Sequence, residues 1–92
     1  WCDAPSDPSY NQMVQLPQKV STERLWRNDN LYDIVVVIGY NDRPAIPGLG
    51  SAIFLHVATD NYAPTSGCIA LKWNDLITIL GNSCCNTRLK IM

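Results

Sequence analysis

The sequence predicts one small domain that is mainly β with one helix, a β-rich α+β fold. Three observations carry that reading. The run Ile34-Val35-Val36-Val37-Ile38 is β-branched throughout, and β-branched side chains fit a pleated strand better than a helix. A second apolar run, Ala52-Ile53-Phe54-Leu55-His56-Val57, lies between two polar, turn-rich stretches. Only Trp73, Leu76, Ile77 and Leu80 recur at offsets of three, four and seven, the helical period. With 92 residues, 47% of them hydrophobic and 16% charged, the chain has room for one core and not for two.

Each element follows in order. Residues 1–30 hold Pro5, Pro8 and Pro17 among many Asp, Asn and Ser. They read as an ordered loop region draped over a core, or as a segment that lacks its partner. Residues 34–38, bounded by Asp33 and Gly39, are expected to form a strand buried on both faces. Pro44, Pro47, Gly48 and Gly50 make residues 41–50 a loop. The strand over 52–57 comes next, then a polar loop over 59–67 in which Asp60 and Asn61 are turn residues. A short third strand covers 68–71. The helix lies near 73–80, with Asn74 or Asp75 in its first turn and Gly81 as its stop. In the tail, Thr87-Arg88-Leu89-Lys90-Ile91 alternates polar and apolar, predicting a final half-buried strand with Leu89 and Ile91 facing inward. Trp26 and Trp73 are expected to be core or helix-packing residues.

Composition excludes several functions. A net charge of −1 and a pI near 5.6 lack the basic footprint of a nucleic-acid binder. No stretch reaches the ~18 apolar residues of a membrane span, and WCDAPSDPSY has neither the basic nor the apolar region of a signal peptide. Starting on Trp1 rather than Met, the chain is expected to have had an upstream part removed or left out. Cys2, Cys68, Cys84 and Cys85 match no zinc pattern, since no CxxC occurs and His56 is the only histidine. Adjacent Cys84 and Cys85 are poorly placed to bond to each other. A bridge from Cys2 to one of them and four free thiols both remain open.

His56 sits near the end of a strand and Cys68 follows Gly67 at the start of the next, with eleven residues between them. Adjacent strands can bring such a thiol and imidazole within hydrogen-bond reach, and an imidazole that takes the thiol proton makes the sulfur a nucleophile. Backbone N–H groups around Gly67 and Cys68 are then candidates for an oxyanion hole. The bland alternative is a buried cysteine beside a satisfied core histidine.

Neighbouring residues favour the first reading. Gly50 through Val57, Tyr62-Ala63-Pro64-Thr65-Ser66-Gly67-Cys68-Ile69-Ala70-Leu71, then Asp75, Leu76 and Leu80 closely resemble the YkuD-type L,D-transpeptidase catalytic domain. The family motif is a histidine, a loop, then Ser or Thr, any residue, Gly and Cys; here these are His56, Thr65, Ser66, Gly67 and Cys68. The resemblance extends to Trp1-Cys2-Asp3, Tyr10-Asn11, Leu25-Trp26-Arg27, Leu31-Tyr32-Asp33, Gly39-Tyr40-Asn41-Asp42 and Thr87-Arg88-Leu89. It lapses at Cys84 and Cys85. Departures are Ser66, where many members carry His or Arg, Ala70, where they carry Arg or Asn, and a short loop between His56 and Cys68.

The resemblance implies an L,D-transpeptidase-like mixed β-sheet fold, and an incomplete domain lacking N-terminal strands, since family domains are longer. It implies peptidoglycan stem peptides as partners, a periplasmic or cell-envelope location in a bacterium, and no metal or organic cofactor. By matched position Cys68 is the nucleophile and His56 the base and later acid, with Gly67 and Cys68 lending oxyanion donors. The acyl group passes to an amine, or to water in a carboxypeptidase or endopeptidase. Tyr62, Thr65, Ser66, Tyr40 and Asn41 are candidate substrate-binding residues. Tyr62 equally fits packing of its own loop, and Thr65 and Ser66 equally fit a turn. Two other classes stay open: a small disulfide-stabilised secreted binding or structural domain with Cys68 bridged, and a truncated relative without activity. Exposed strand edges would favour self-association.

Overall fold

In the computed structural model, which describes all residues from Trp1 to Met92, the apolar runs form a small mixed sheet with one helix. Strands β1 (Val35–Val37), β2 (Phe54–Val57) and β3 (Ile69–Leu71) lie in that spatial order, followed in the chain by helix α1 (Trp73–Gly81). β1 pairs antiparallel with β2, Val36 opposite Leu55. β3 pairs parallel with β2, His56 opposite Ala70. The β-rich α+β class is therefore the observed one.

Strand alternation gives β2 two chemically different faces. Phe54 and His56 point one way, Leu55 and Val57 the other. On the first face Trp1 meets Phe54 edge-on with ring centroids 5.0 Å apart, and Tyr32 does so at 5.9 Å. Residues 1–30 contain no named strand or helix, yet Trp1, Cys2, Ala4, Tyr10 and Asn11 are all buried. Isolated bridges from Cys2 to Gln12 and to Thr22 hold this segment in place. Asn11 adopts a positive φ of 60° and acts as its polar hub. Its Oδ1 accepts from Trp1 Nε1 (3.1 Å) and the Ala52 N–H (3.2 Å), and its Nδ2 donates to the carbonyls of Tyr40 (3.0 Å) and Asn41 (2.7 Å).

Helix α1 packs toward β2 and is anchored by Leu76, its one buried residue. No side chain caps its start; Leu76 N–H bonds the Lys72 carbonyl at 2.9 Å, and Asp75 complements the positive end of the helix. Gly81, expected as the stop, is the last helical residue, and Asn82 closes the end through its N–H to Ile79 O (3.1 Å) and its Nδ2 to Thr78 O (2.8 Å).

Three expectations need correction. The 34–38 run is not buried on both faces: β1 is three residues long at the sheet edge, and Val37 is 52% exposed, because only β2 flanks it. The tail strand over 87–91 does not form. No strand edge pairs with it, and Ile91 is 80% exposed. Alternation alone makes no strand without a partner's backbone groups. Trp26 and Trp73 are not core residues, at 86% and 47% exposure; Trp1 takes the aromatic place against Phe54, while Trp73 begins a helix whose buried contact lies one turn later. Of the two cysteine arrangements left open, the structure has the four free thiols, Cys2 buried and Cys84 and Cys85 exposed.

Candidate active site

The parallel register fixes how His56 and Cys68 can meet. With Leu55 opposite Ile69 and His56 opposite Ala70, Cys68 immediately precedes β3. Its sulfur lies against the backbone of Ala52, just ahead of β2, and of Phe54 in β2, two residues before His56. Residues 58–68 make the connection that a parallel pair requires.

Neither side chain is loose. His56 is buried, and its Nδ1 lies 2.8 Å from the Val57 carbonyl oxygen. A carbonyl oxygen only accepts, so Nδ1 carries a proton, and in the neutral ring Nε2 is then the nitrogen with the lone pair. Nε2 makes no hydrogen bond within the chain. The Cys68 thiol donates to the Ala52 carbonyl at 3.2 Å, and its sulfur accepts the Phe54 N–H at 3.4 Å. The thiol thus donates to a backbone oxygen rather than to the imidazole.

Gly67 is required by its place. Its φ is +103°, a region that side-chain-bearing residues rarely adopt, and a Cβ there would lie 3.2 Å from Ile53 Cδ1. Thr65 Oγ1 donates to the Cys68 carbonyl at 2.5 Å, so Thr65 clamps the turn that presents the sulfur. Ser66 is exposed and makes no side-chain hydrogen bond. Tyr62 folds back on its loop: its hydroxyl accepts the Lys72 N–H at 3.3 Å, and the Lys72 ammonium lies 5.8 Å from its ring centroid. Tyr40 and Asn41 stitch the 40–50 loop. The Tyr40 hydroxyl donates to Leu49 O (2.8 Å), and Asn41 Nδ2 donates to Ile46 O (3.0 Å) and Gly50 O (2.8 Å).

A family model described as the L,D-transpeptidase catalytic domain, YkuD, matches residues 3–91. The chain belongs to the YkuD family. No curated protein and no solved structure gives a significant match. Within this YkuD domain, His56, Gly67 and Cys68 all lie inside the matched span.

Sequence reasoning about this YkuD chain missed Tyr32 and its companions. Tyr32 packs at 64° against the His56 ring, centroids 5.1 Å apart. Its hydroxyl donates to Glu23 Oε1, and the Arg27 guanidinium lies 4.9 Å from its ring centroid. Arg27 in turn forks onto Asp29, with Nε at 3.0 and 3.1 Å from the two carboxylate oxygens. Burial, then the hydrogen bond and charge of Glu23, then the proximity of Cys68 push the Tyr32 phenol well above its ordinary range, so it stays neutral. The Asp29 carboxyl is held low by the Arg27 hydrogen bonds. No periodicity could have pointed to Tyr32, since it precedes the first strand and touches His56 only through tertiary packing.

A groove of the YkuD domain lies elsewhere. A groove of about 900 Å³ runs along the opposite face of the sheet, lined by Val36, Leu55, Leu80, Cys84, Cys85 and Leu89 among others. It includes neither His56 nor Cys68. No three His, Cys, Asp or Glu side chains gather where a metal ion could be held, and no helix is long and apolar enough to cross a membrane.

Proposed function

We propose that this chain is a peptidoglycan-modifying cysteine L,D-transpeptidase in which Cys68 is the nucleophile and His56 the proton carrier. What supports the reading is a β2 imidazole whose Nε2 has no partner in the chain and a thiol bonded to the backbone of that same strand at Phe54 and just ahead of it at Ala52, inside a chain matched over 3–91 by the family. His56 Nε2 takes the Cys68 proton as sulfur attacks the carbonyl carbon of the bond between a diamino acid and a terminal D-alanine. As the carbon–nitrogen bond breaks, the imidazolium returns that proton to the departing D-alanine amine, leaving a thioester on Cys68. An acceptor amine from a second stem peptide then attacks, His56 removes its proton, and the thiol is restored. With water as acceptor the same steps trim the stem. N–H groups at Gly67 and Cys68 are the proposed donors to the oxyanion, and Tyr62, Thr65, Ser66, Tyr40 and Asn41 are proposed to shape the substrate path around it. The chemistry uses no cofactor.

The reading places the protein in the bacterial cell envelope, where its substrate is. The free edges of β1 and β3 are proposed sites of self-association. Incubation with tetrapeptide-stem muropeptides is expected to release D-alanine, and Cys68→Ala to abolish release. No release by the wild-type chain overturns the proposal and favours a relative without activity.

A further inference from the structure

A single hydrogen bond to the Val57 carbonyl does not by itself fix the His56 ring. The outer torsion of histidine has two broad, nearly equivalent wells, and a half-turn exchanges nitrogen for carbon at each edge. In the flipped ring the Val57 carbonyl would lose its donor and the position that Nε2 occupies would be taken by a carbon with no lone pair. Something must select one well.

Tyr32 is placed to do so. Its ring meets the His56 ring at 5.1 Å and the Phe54 ring at 5.9 Å, and Phe54 in turn meets Trp1 at 5.0 Å. These four rings form a continuous column over one face of β2. Both ends of the Tyr32 side chain are also held: the hydroxyl by Glu23, the ring face by Arg27, which Asp29 orients. Four residues from an otherwise irregular segment, Glu23, Arg27, Asp29 and Tyr32, thus converge on one contact with the imidazole.

We propose that Tyr32 is a positioning residue for His56, its clamped ring selecting the imidazole orientation in which Nδ1–H bonds the Val57 carbonyl and Nε2 stays open to Cys68. The proposal rests on the thiol–imidazole reading for its catalytic consequence but not for its structural content. Tyr32 does not exchange a proton with substrate; it acts through His56.

His56 is the only histidine in the chain, so one pair of imidazole nitrogen resonances reports it without assignment ambiguity. Uniformly labelled protein, read by long-range proton–nitrogen correlation at a pH where the ring is neutral, is expected to show the Nδ1–H tautomer in the wild type. The wild type should also show cross-relaxation between the Tyr32 and His56 ring protons. Tyr32→Phe, which keeps the ring, is expected to retain both the tautomer and the turnover, within about threefold. Tyr32→Leu is expected to give nitrogen shifts averaged between the two tautomers. Its kcat for D-alanine release should fall about tenfold or more with KM changed less than about twofold, the split expected of a displaced base. Should Tyr32→Leu not fold, Tyr32→Met, whose flexible side chain fills the space without a ring face, carries the same expectation. A folded Leu or Met variant with the wild-type tautomer and kcat overturns the proposal, as does absence of the ring-to-ring cross-relaxation. A wild type that releases no D-alanine refutes the proposed function alone, because the tautomer is read without substrate.

Discussion

Replacing Gly67 with alanine tests whether the backbone that presents Cys68 is held as described. At φ +103° a Cβ is strained whatever surrounds it, and Ile53 Cδ1 would stand 3.2 Å away. Forcing a side-chain-bearing residue into such a region costs about 1–3 kcal/mol. Moving the Ile53 side chain a few tenths of an ångström costs up to about 1 kcal/mol, while reduced freedom of the unfolded chain returns about 0.4–1 kcal/mol. At the middle of these ranges the net expectation is a loss of about 2 kcal/mol. Gly48 provides the control, since its φ is +88° and nothing lies within 4 Å of its Cβ position; Gly48→Ala should lose less, because it lacks the Ile53 contact. Urea unfolding at constant slope measures both. Alkylation mapped to Cys68 should change in the Gly67 variant and not in the Gly48 variant. A Gly67→Ala protein within about 0.5 kcal/mol of wild type, with unaltered Cys68 labelling, refutes the reasoning.

Leu76 is fully buried whereas Ile77 is largely exposed, so Leu76→Ala should lose about 2–5 kcal/mol and Ile77→Ala well under half of that; similar losses in denaturant would contradict the packing of α1. The Tyr32 phenol is raised by burial and by Glu23, so its neutral form is the one the fold favours. Its contribution is complete below about pH 10, the unfolded value, and is lost as pH rises beyond it. Ultraviolet titration should show one of the four tyrosines ionising last, and Tyr32→Phe should remove that step rather than an earlier one. The Cys84 thiol is lowered by the Asn86 backbone N–H and then by the Thr87 hydroxyl, so its thiolate persists to lower pH. At neutral pH, alkylation of Cys84 should outpace that of its neighbour Cys85, which is also exposed, and the reverse order would contradict this geometry.

How much was legible in the sequence depended on whether a feature is local. The periodicity from Trp73 to Leu80 needs only the helix's own geometry, and α1 forms there. The 52–57 run also holds, because β2 is flanked on both edges and its apolar residues find partners. Residues 34–38 were misread as doubly buried because β-branching reports strand propensity, not what covers the strand. The tail failed for the same reason in reverse, its alternation having no edge to pair with. At the site, the spacing of His56, Gly67 and Cys68 was visible, whereas the positive φ that requires glycine at 67 was not. The Ala52 carbonyl that accepts from the thiol was not, nor was the ring of Tyr32 against His56. Backbone oxygens leave no mark in a residue pattern, and an aromatic contact across 24 positions appears only once the chain has folded.

The central claim is that Cys68 forms an acyl-enzyme with His56 as its proton carrier. Intact-mass measurement after brief exposure to a tetrapeptide stem, with peptide mapping, tests it most directly. The account predicts one acyl adduct on Cys68, labile to hydroxylamine, absent in Cys68→Ala and strongly slowed in His56→Gln. An adduct on Cys2, Cys84 or Cys85 in its place, or adduct formation on Cys68 at the wild-type rate in His56→Gln, would contradict it.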